Sequence, residues 1–377
     1  MRGYFVARFP LFGKLASFFA QAILSLNIRF LKANWRTNAF VKGKQLPTRR
    51  QKIKTWRMKH TFTAIALGLT LATGCNKKTA ENSPASESPH VIAVIPKGTT
   101  HIYWQSVKAG AEAAGKEFGY SIEWNGPERE TDRERQIQIV EDFIVQKVDG
   151  VVLAPLDKDA LVPSVDKLAS LKIPCAIVDS GISTSNYVTF AATDNYNGGV
   201  LAARRMGEIL GGKGNLLVLK YVPGSGSTTD RENGFIDTIG REFPNMKIVD
   251  SKYGQDTVET ALQSAEDMLT RNKDVQGFYA CNASTAVATL QALQSQNRSE
   301  IKMIGFDAEK ALIDGLRAGQ IDALIVQNPY KMGYEGVKAV VMTIQGKPVE
   351  KKIDTGVAVV TKDALDKPEI KMLLNIQ

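Results

Sequence analysis

The chain has 377 residues, 44% of them hydrophobic and 23% charged, with a formal net charge of +9. At about 150 residues per domain, this length allows two or three domains of ordinary globular composition. The charge is lopsided: residues 1–74 hold 14 Lys and Arg and no acid, leaving 34 basic against 39 acidic residues in 75–377, a net of −5. The body of the chain therefore has no basic footprint for a nucleic-acid backbone, which excludes that class of partner.

The N-terminal stretch divides into three parts. Residues 1–57 carry 13 Lys and Arg and an aromatic-rich run near 5–30. They read either as a basic amphipathic or membrane segment or as a doubtful extension upstream of a translation start at Met58. The second reading is favoured because a signal-like start stands in mid-chain. Residues 58–74 follow the pattern of a secretion signal: Lys59 and His60, an apolar core from Phe62 to Leu71, then Leu71-Ala72-Thr73-Gly74-Cys75. The core is too short to span a bilayer, which takes about 20 apolar residues. The ending resembles a bacterial lipobox, with Ala72 where Leu is commoner, and makes Cys75 the expected lipidation site. Residues 75–89 are polar and rich in Ser and Pro, as a tether would be. Residues 1–74 are set aside from the fold.

From residue 90 onward, short apolar runs alternate with helical patterns. The first run, 91–95, is followed by Pro96-Lys97-Gly98-Thr99-Thr100, which breaks the strand. A helix with Trp104, Val107, Ala111, Ala114 and Phe118 on one face comes next. Further strands are expected at 121–124, 150–154, 175–178, 188–191, 215–221, 247–253, 275–280, 301–306, 323–326 and 357–360. Helices are expected at 103–118, 131–146, 159–171, 195–210, 228–242, 257–271, 284–296, 309–318 and 330–345. Strand alternating with helix implies a parallel sheet covered on both faces. Eleven strands exceed what one such sheet usually holds, so two lobes are expected. The lobes take residues 90–193 with 328–354 and 194–327 with 355–377, and the chain crosses between them near 193–195, 327–329 and 353–355. Three crossings make a hinge, with a ligand in the cleft between two doubly wound α/β lobes. No repeat of 20–50 residues is evident.

Three cysteines occur, and neither a C-x-x-C pair nor a His/Cys cluster at metal spacing is present, so no metal or other cofactor is implied. Cys175 and Cys281 are expected to be buried free thiols. The sequence Gly224-Ser225-Gly226-Ser227 lacks the rest of a dinucleotide fingerprint, and no G-x-x-x-x-G-K-[ST] occurs. These glycines read as strand-ending turns.

In order, the segments IAVIPKGTTHIYWQSVKAGAE, GVVLAPLD, IVDSG, TDNYNGG, the R-x-x-G-F of residues 231–235, FYACN, MIGFDA and ALIVQNP resemble the ribose-binding type of periplasmic sugar-binding protein. These are the solute receptors of ABC importers. The resemblance covers about 90–361. The effector domain of lac-repressor-type regulators has the same fold, but those carry a helix-turn-helix where this chain has an export signal. The resemblance implies sugar stacking by Tyr103 and Trp104, whose flat rings match the apolar C–H face of a sugar, and a polar contact from His101. It implies carboxylate acceptors at Asp179 and Asp307, a planar fork at Arg231 and amides at Asn282 and Gln327, with Gln255 a weaker candidate. Ala154 and Ser180 stand where the family often has Asn and Arg, so a different sugar, a deoxy sugar or a polyol is as fitting as ribose.

The expected function is a monomeric, lipid-anchored, periplasmic or extracytoplasmic receptor that delivers a sugar or polyol to ABC permease subunits, without catalysis. Three alternatives are weighed beside it. The same clamshell could signal to a membrane sensor kinase. A cationic ligand could sit in an aromatic box of Tyr103, Trp104 and Tyr253. Asp179 and Asp307 could act as a glycosidase pair.

Overall fold

The computed structural model describes residues 90–374; the signal, the tether and Cys75 lie outside the described residues. Two six-stranded sheets organise this region. The first contains β1 (Val91–Ile95), β2 (Ser121–Trp124), β3 (Gly150–Leu153), β4 (Cys175–Val178), β5 (Thr189–Ala192) and β11 (Lys352–Asp354), in the order β11-β5-β4-β3-β1-β2. The second contains β6 (Lys213–Lys220), β7 (Asn245–Tyr253), β8 (Gly277–Ala280), β9 (Lys302–Phe306), β10 (Ala323–Gln327) and β12 (Val357–Val360), in the order β12-β10-β9-β8-β6-β7. All pairings are parallel except β10 with β12.

Ten α-helices cover the faces: α1 (Tyr103–Phe118), α2 (Arg133–Gln146), α3 (Val162–Ser170), α4 (Asn195–Leu210), α5 (Gly226–Glu242), α6 (Val258–Arg271), α7 (Ala283–Ser295), α8 (Lys310–Ala318), α9 (Pro329–Ile344) and α10 (Pro368–Leu374). Because helices lie on both sides, the inner strands bury both faces. β3, β4, β8 and β10 are buried at every residue, which is why they read as unbroken apolar runs rather than alternating ones. Each sheet thus separates two cores. Ile92 and Val94 pack with Trp104 and Val107 on one side of β1; Ala93 and Ile95 pack with Ile139 and Phe143 on the other.

In each lobe one helix pair packs at backbone contact through reciprocal glycines. A Cβ on Gly110 of α1 would lie 1.9 Å from Tyr330 O, and one on Gly333 of α9 would lie 2.0 Å from Val107 O. In the second lobe, Gly199 of α4 faces Arg231 O at 2.1 Å, and Gly234 of α5 faces Tyr196 O at 2.1 Å. The chain crosses between lobes three times: after β5, after β10 and between β11 and β12. The first two crossings exchange helices, so α4 packs on β9 and β10 while α9 packs on β3 and β4.

The structure adds three features to the sequence reading. β11 has no apolar run, only Lys-Ile-Asp, and exists through its parallel pairing with β5. β12 is antiparallel, so the second sheet is not wholly parallel. A terminal helix, α10, opens on Pro368, its first residue. Helix α3 starts at Val162 rather than 159 and carries its proline in the first turn.

Candidate functional site

Both sheets reverse their strand order at the first strand, between β1 and β3 and between β6 and β8. Ligand crevices in open α/β sheets lie beyond the carboxyl ends of the strands at such points. Here the two crevices face each other and enclose a small cavity of about 40 Å³.

Each wall is built at a strand end. After β1, Lys97, His101, Tyr103 and Trp104 face the cavity; Asp179 follows β4, and Glu130 comes from the loop after β2. From the second lobe come Tyr221 after β6, Ser227, Thr228 and Arg231 on α5, Asn282 after β8, Asp307 after β9 and Gln327 at the end of β10. Eight of the nine expected contacts therefore line one cavity: His101, Tyr103, Trp104, Asp179, Arg231, Asn282, Asp307 and Gln327. Gln255 does not; it is exposed on a turn, with a left-handed φ of 66°. Its neighbour Asp256 turns inward instead. Tyr253 also stands outside, with Lys220 Nζ 4.2 Å from its ring centroid, so no aromatic box forms.

The two carboxylates are placed by the same local device. Asp179 (φ 61°) and Asp307 (φ 73°) both adopt the left-handed conformation, which Asp tolerates better than most residues. Their N–H groups donate to Ala191 O and Ile325 O, on the neighbouring strands β5 and β10. Each turn ends its strand and places its own carboxylate in the cleft.

Their environments differ. Asp179 Oδ2 lies 2.9 Å from Lys97 Nζ and accepts from Ser180 Oγ at 3.0 Å, while Oδ1 accepts from Tyr103 Oη at 2.9 Å. Burial alone would raise its pKa, but Lys97 and Arg231 outweigh it and hold the carboxyl below the usual value. Asp307 accepts from Ala283 N at 3.0 Å and Gln327 Nε2 at 2.6 Å. It has no lysine partner, so burial prevails over Arg231 and its pKa is raised. Tyr103 is raised well above the ordinary phenol, by burial first and then by Asp179 and Asp307.

Arg231 is buried and fixed on three sides. Nε donates to Asn195 Oδ1 at 2.8 Å, Nη1 donates to Cys281 O at 3.1 Å, and Cζ lies 3.8 Å from the Phe306 ring centroid. Those bonds use Nε and Nη1, leaving Nη2 for an occupant. Asn282 lines the wall but spends its Oδ1 capping α7 in a capping box with Thr285. Trp104 is 2% exposed and joins the core, and its indole N–H donates to Glu130 Oε1 at 2.8 Å. Two buried cavity atoms have no protein partner: Thr228 Oγ1 and Gln327 Oε1. A buried polar group left unpaired costs about 1–3 kcal/mol, so both are suited to meet an occupant.

The lobes also grip each other at the cavity rim. Asp256 of the second lobe accepts from Arg129 Nη2 (2.7 Å), Arg129 Nε (3.1 Å) and Thr131 Oγ1 (3.1 Å) of the first. His101 Nε2 lies 3.0 Å from Asp256 O, and Tyr221 Oη donates to Glu130 Oε2 at 2.9 Å. Sequence reasoning missed Lys97, Glu130, Tyr221, Asn195 and Thr228. Lys97 left a signal, a lysine directly after an apolar strand, but it read only as a strand breaker. Glu130 lies in an irregular loop, where no strand or helix period marks it, and its carboxylate meets Trp104 and Tyr221. Cys175 and Cys281 are buried free thiols, and among the described residues no acidic, His or Cys cluster could hold a metal.

Two facing lobes with a small polar cavity between them define a two-lobed ligand-binding protein. A model of the periplasmic binding protein domain matches residues 92–348, and the chain belongs to that family. It is 26% identical over 293 residues to a ribose import binding protein of Bacillus subtilis, covering 77% of this chain and 94% of the relative. It is 27% identical to a D-ribose/D-allose-binding protein of Pseudomonas aeruginosa, covering 79% and 96%. Among solved structures, an ABC transporter solute binding protein from Agrobacterium vitis with bound D-fucose is 39% identical, with a TM-score of 0.73 and coverage of 75% and 99%. A carbohydrate transporter solute binding protein from Agrobacterium radiobacter, in complex with D-arabinose, is 34% identical, with a TM-score of 0.75 and coverage of 77% and 100%.

Proposed function

We propose that this chain captures a neutral monosaccharide or related polyol between its lobes and delivers it to an ABC importer. The observation that carries the reading is the convergence of Asp179 and Asp307, one from each lobe, with Arg231 on one small cavity. Carboxylates and a guanidinium hold hydroxyl groups by charge-assisted bonds, the chemistry a polyhydroxylated guest offers. The relatives support it, since their names speak of ribose, D-allose, D-fucose and D-arabinose. Neutrality follows from charge. Two cations, Lys97 and Arg231, face three carboxylates, Asp179, Asp307 and Glu130, so a sugar acid or phosphate meets no surplus positive charge.

In this reading Arg231 Nη2, Thr228 Oγ1, Gln327 Oε1 and the two carboxylates meet ligand hydroxyls, and Tyr103 with Trp104 presents the apolar wall. The ring edges are set by their own contact, T-shaped with centroids 5.0 Å apart. Each lobe supplies contacts, so binding favours the closed form by differential affinity. Family membership puts the work outside the cytoplasm, and the lipobox-like sequence before Cys75 supports a lipid anchor. Mass spectrometry of the mature N-terminus tests the anchor: an acylated Cys75 supports it, and an unmodified or absent Cys75 refutes it.

Calorimetric titration with D-ribose, D-allose, D-fucose, D-arabinose and neutral polyols tests the binding. At least one should bind at a one-to-one ratio and be recovered unchanged. If none binds, the reading fails; a new product would revive the glycosidase alternative.

A further inference from the structure

We propose that Lys97 and the turn at 224–227 form a closure latch that joins Asp179 of the first lobe to the N-terminus of α5 in the second. The Gly-Ser-Gly-Ser of that turn carries no nucleotide-binding fingerprint, yet it packs directly against the first lobe. A Cβ added to Gly226 would have Gly181 O at 3.0 Å and Gly181 N at 3.3 Å, and its three nearest atoms all belong to Gly181 across the cleft. A Cβ on Gly224 would lie 2.4 Å from Asp157 Oδ2, again in the first lobe. Glycine at these positions lets two backbones meet when the lobes close.

The serines between them make the polar half of the latch. Lys97 Nζ sits 2.9 Å from Asp179 Oδ2, 3.1 Å from Ser227 Oγ and 3.4 Å from Ser225 Oγ. An ammonium has three donors, and here one serves the first lobe and two the second. Ser180 Oγ lies 2.8 Å from Ser227 Oγ and accepts from Ser227 N at 3.2 Å. Backbone contacts flank the latch: Lys158 N donates to Gly224 O at 3.1 Å, and Arg133 Nη2 donates to Pro223 O at 2.8 Å. Opening the lobes breaks all of these except Lys97–Asp179.

The consequence is a positioning role for Lys97. In the open form its ammonium has only Asp179 to bind. On closure, Ser225 and Ser227 draw the ammonium toward the second lobe, which fixes the carboxylate at the geometry a ligand meets. This last step rests on the reading of Asp179 as a ligand contact; the latch itself does not.

The test uses the full chain with one spin label at Leu171→Cys and one at Val249→Cys, exposed sites on the two lobes. Distance distributions are taken without ligand and with D-fucose or D-arabinose. The parent chain should show a short-distance, closed population in at least one condition. In Gly226→Val that population should vanish while the melting temperature holds, because the three atoms nearest the new Cβ all belong to the opposite lobe. In Lys97→Met and in the Ser225→Ala, Ser227→Ala pair it should fall roughly tenfold, as expected for losing charge-assisted bonds made only on closure. An undiminished short-distance population in Gly226→Val, or its absence from the parent under every condition, overturns the latch. Closure that responds as stated while no sugar binds leaves the latch standing and removes the sugar reading. Sugar binding with a distribution insensitive to all three variants does the reverse.

Discussion

Replacing Asp307 by Asn separates what the site does from what the fold needs. Its carboxylate is buried, and burial outweighs Arg231 to raise its pKa, so the charge is a burden to the empty protein. Asn tolerates the left-handed backbone about as well as Asp, so the φ of 73° is not strained by the change. The partners remain satisfied. The Ala283 N–H, now at 3.0 Å, keeps an oxygen acceptor, and Gln327 can turn its amide so that Oε1, now unpartnered, receives the new N–H. Stability should therefore hold or rise in thermal unfolding. Binding should suffer. A bond to a charged acceptor contributes about 1.5–3 kcal/mol and a neutral one about 0.5–1.5, so two ligand hydroxyls lose about 2 kcal/mol together, some 30-fold in affinity. Calorimetry with the best-binding sugar reads the loss. Unchanged affinity would remove Asp307 from the site, and a large fall in melting temperature would refute the claim that its charge is a burden.

The matching change in the first lobe should act oppositely on stability. Asp179→Asn leaves Lys97 buried without its counter-charge, their side chains being 5% and 4% exposed, and breaking such a pair costs about 3–5 kcal/mol; urea unfolding should show it, and equal stability of the two Asn variants would contradict it. Sugar affinity should fall on acidification sooner than an ordinary aspartate would dictate, because Asp307 must be ionised to accept and its pKa is raised from 3.8; the early fall should disappear in Asp307→Asn, and its persistence there would assign it to another group. Gly110→Ala should destabilise the first lobe by about 1–3 kcal/mol or more through overpacking, since the new Cβ would sit 1.9 Å from Tyr330 O; a neutral result in chemical denaturation would show that α1 and α9 separate freely.

Much of the fold was legible because parallel strands buried on both faces leave unbroken apolar runs, as in β3 and β4. What escaped has physical causes. β11 is Lys-Ile-Asp, held by a neighbour rather than by its own composition. The site was legible where chemistry sits at a strand end: Asp179 and Asp307 each follow an apolar run, and a polar residue there points into the crevice. Gln255 follows a strand too, but its turn leaves it in solvent and buries Asp256 instead, a choice made by Arg129 and Thr131 from the other lobe. Lys97 and Glu130 were missed for a related reason: their roles depend on partners 128 and 91 positions away in sequence, Ser225 and Tyr221. The Gly-Ser-Gly-Ser turn read as a strand end because its partner, Gly181, is visible only once the lobes are packed.

If the sugar reading holds, both lobes grip one neutral sugar in the cavity at their interface. A crystal structure of the chain grown with the tightest-binding monosaccharide of the titration panel tests it most directly. The map should show one sugar between the lobes, with hydroxyls on Asp179, Asp307 and Arg231 Nη2 and an unbroken ring. A sugar bound elsewhere, or held by one lobe alone with Asp307 untouched, would contradict it.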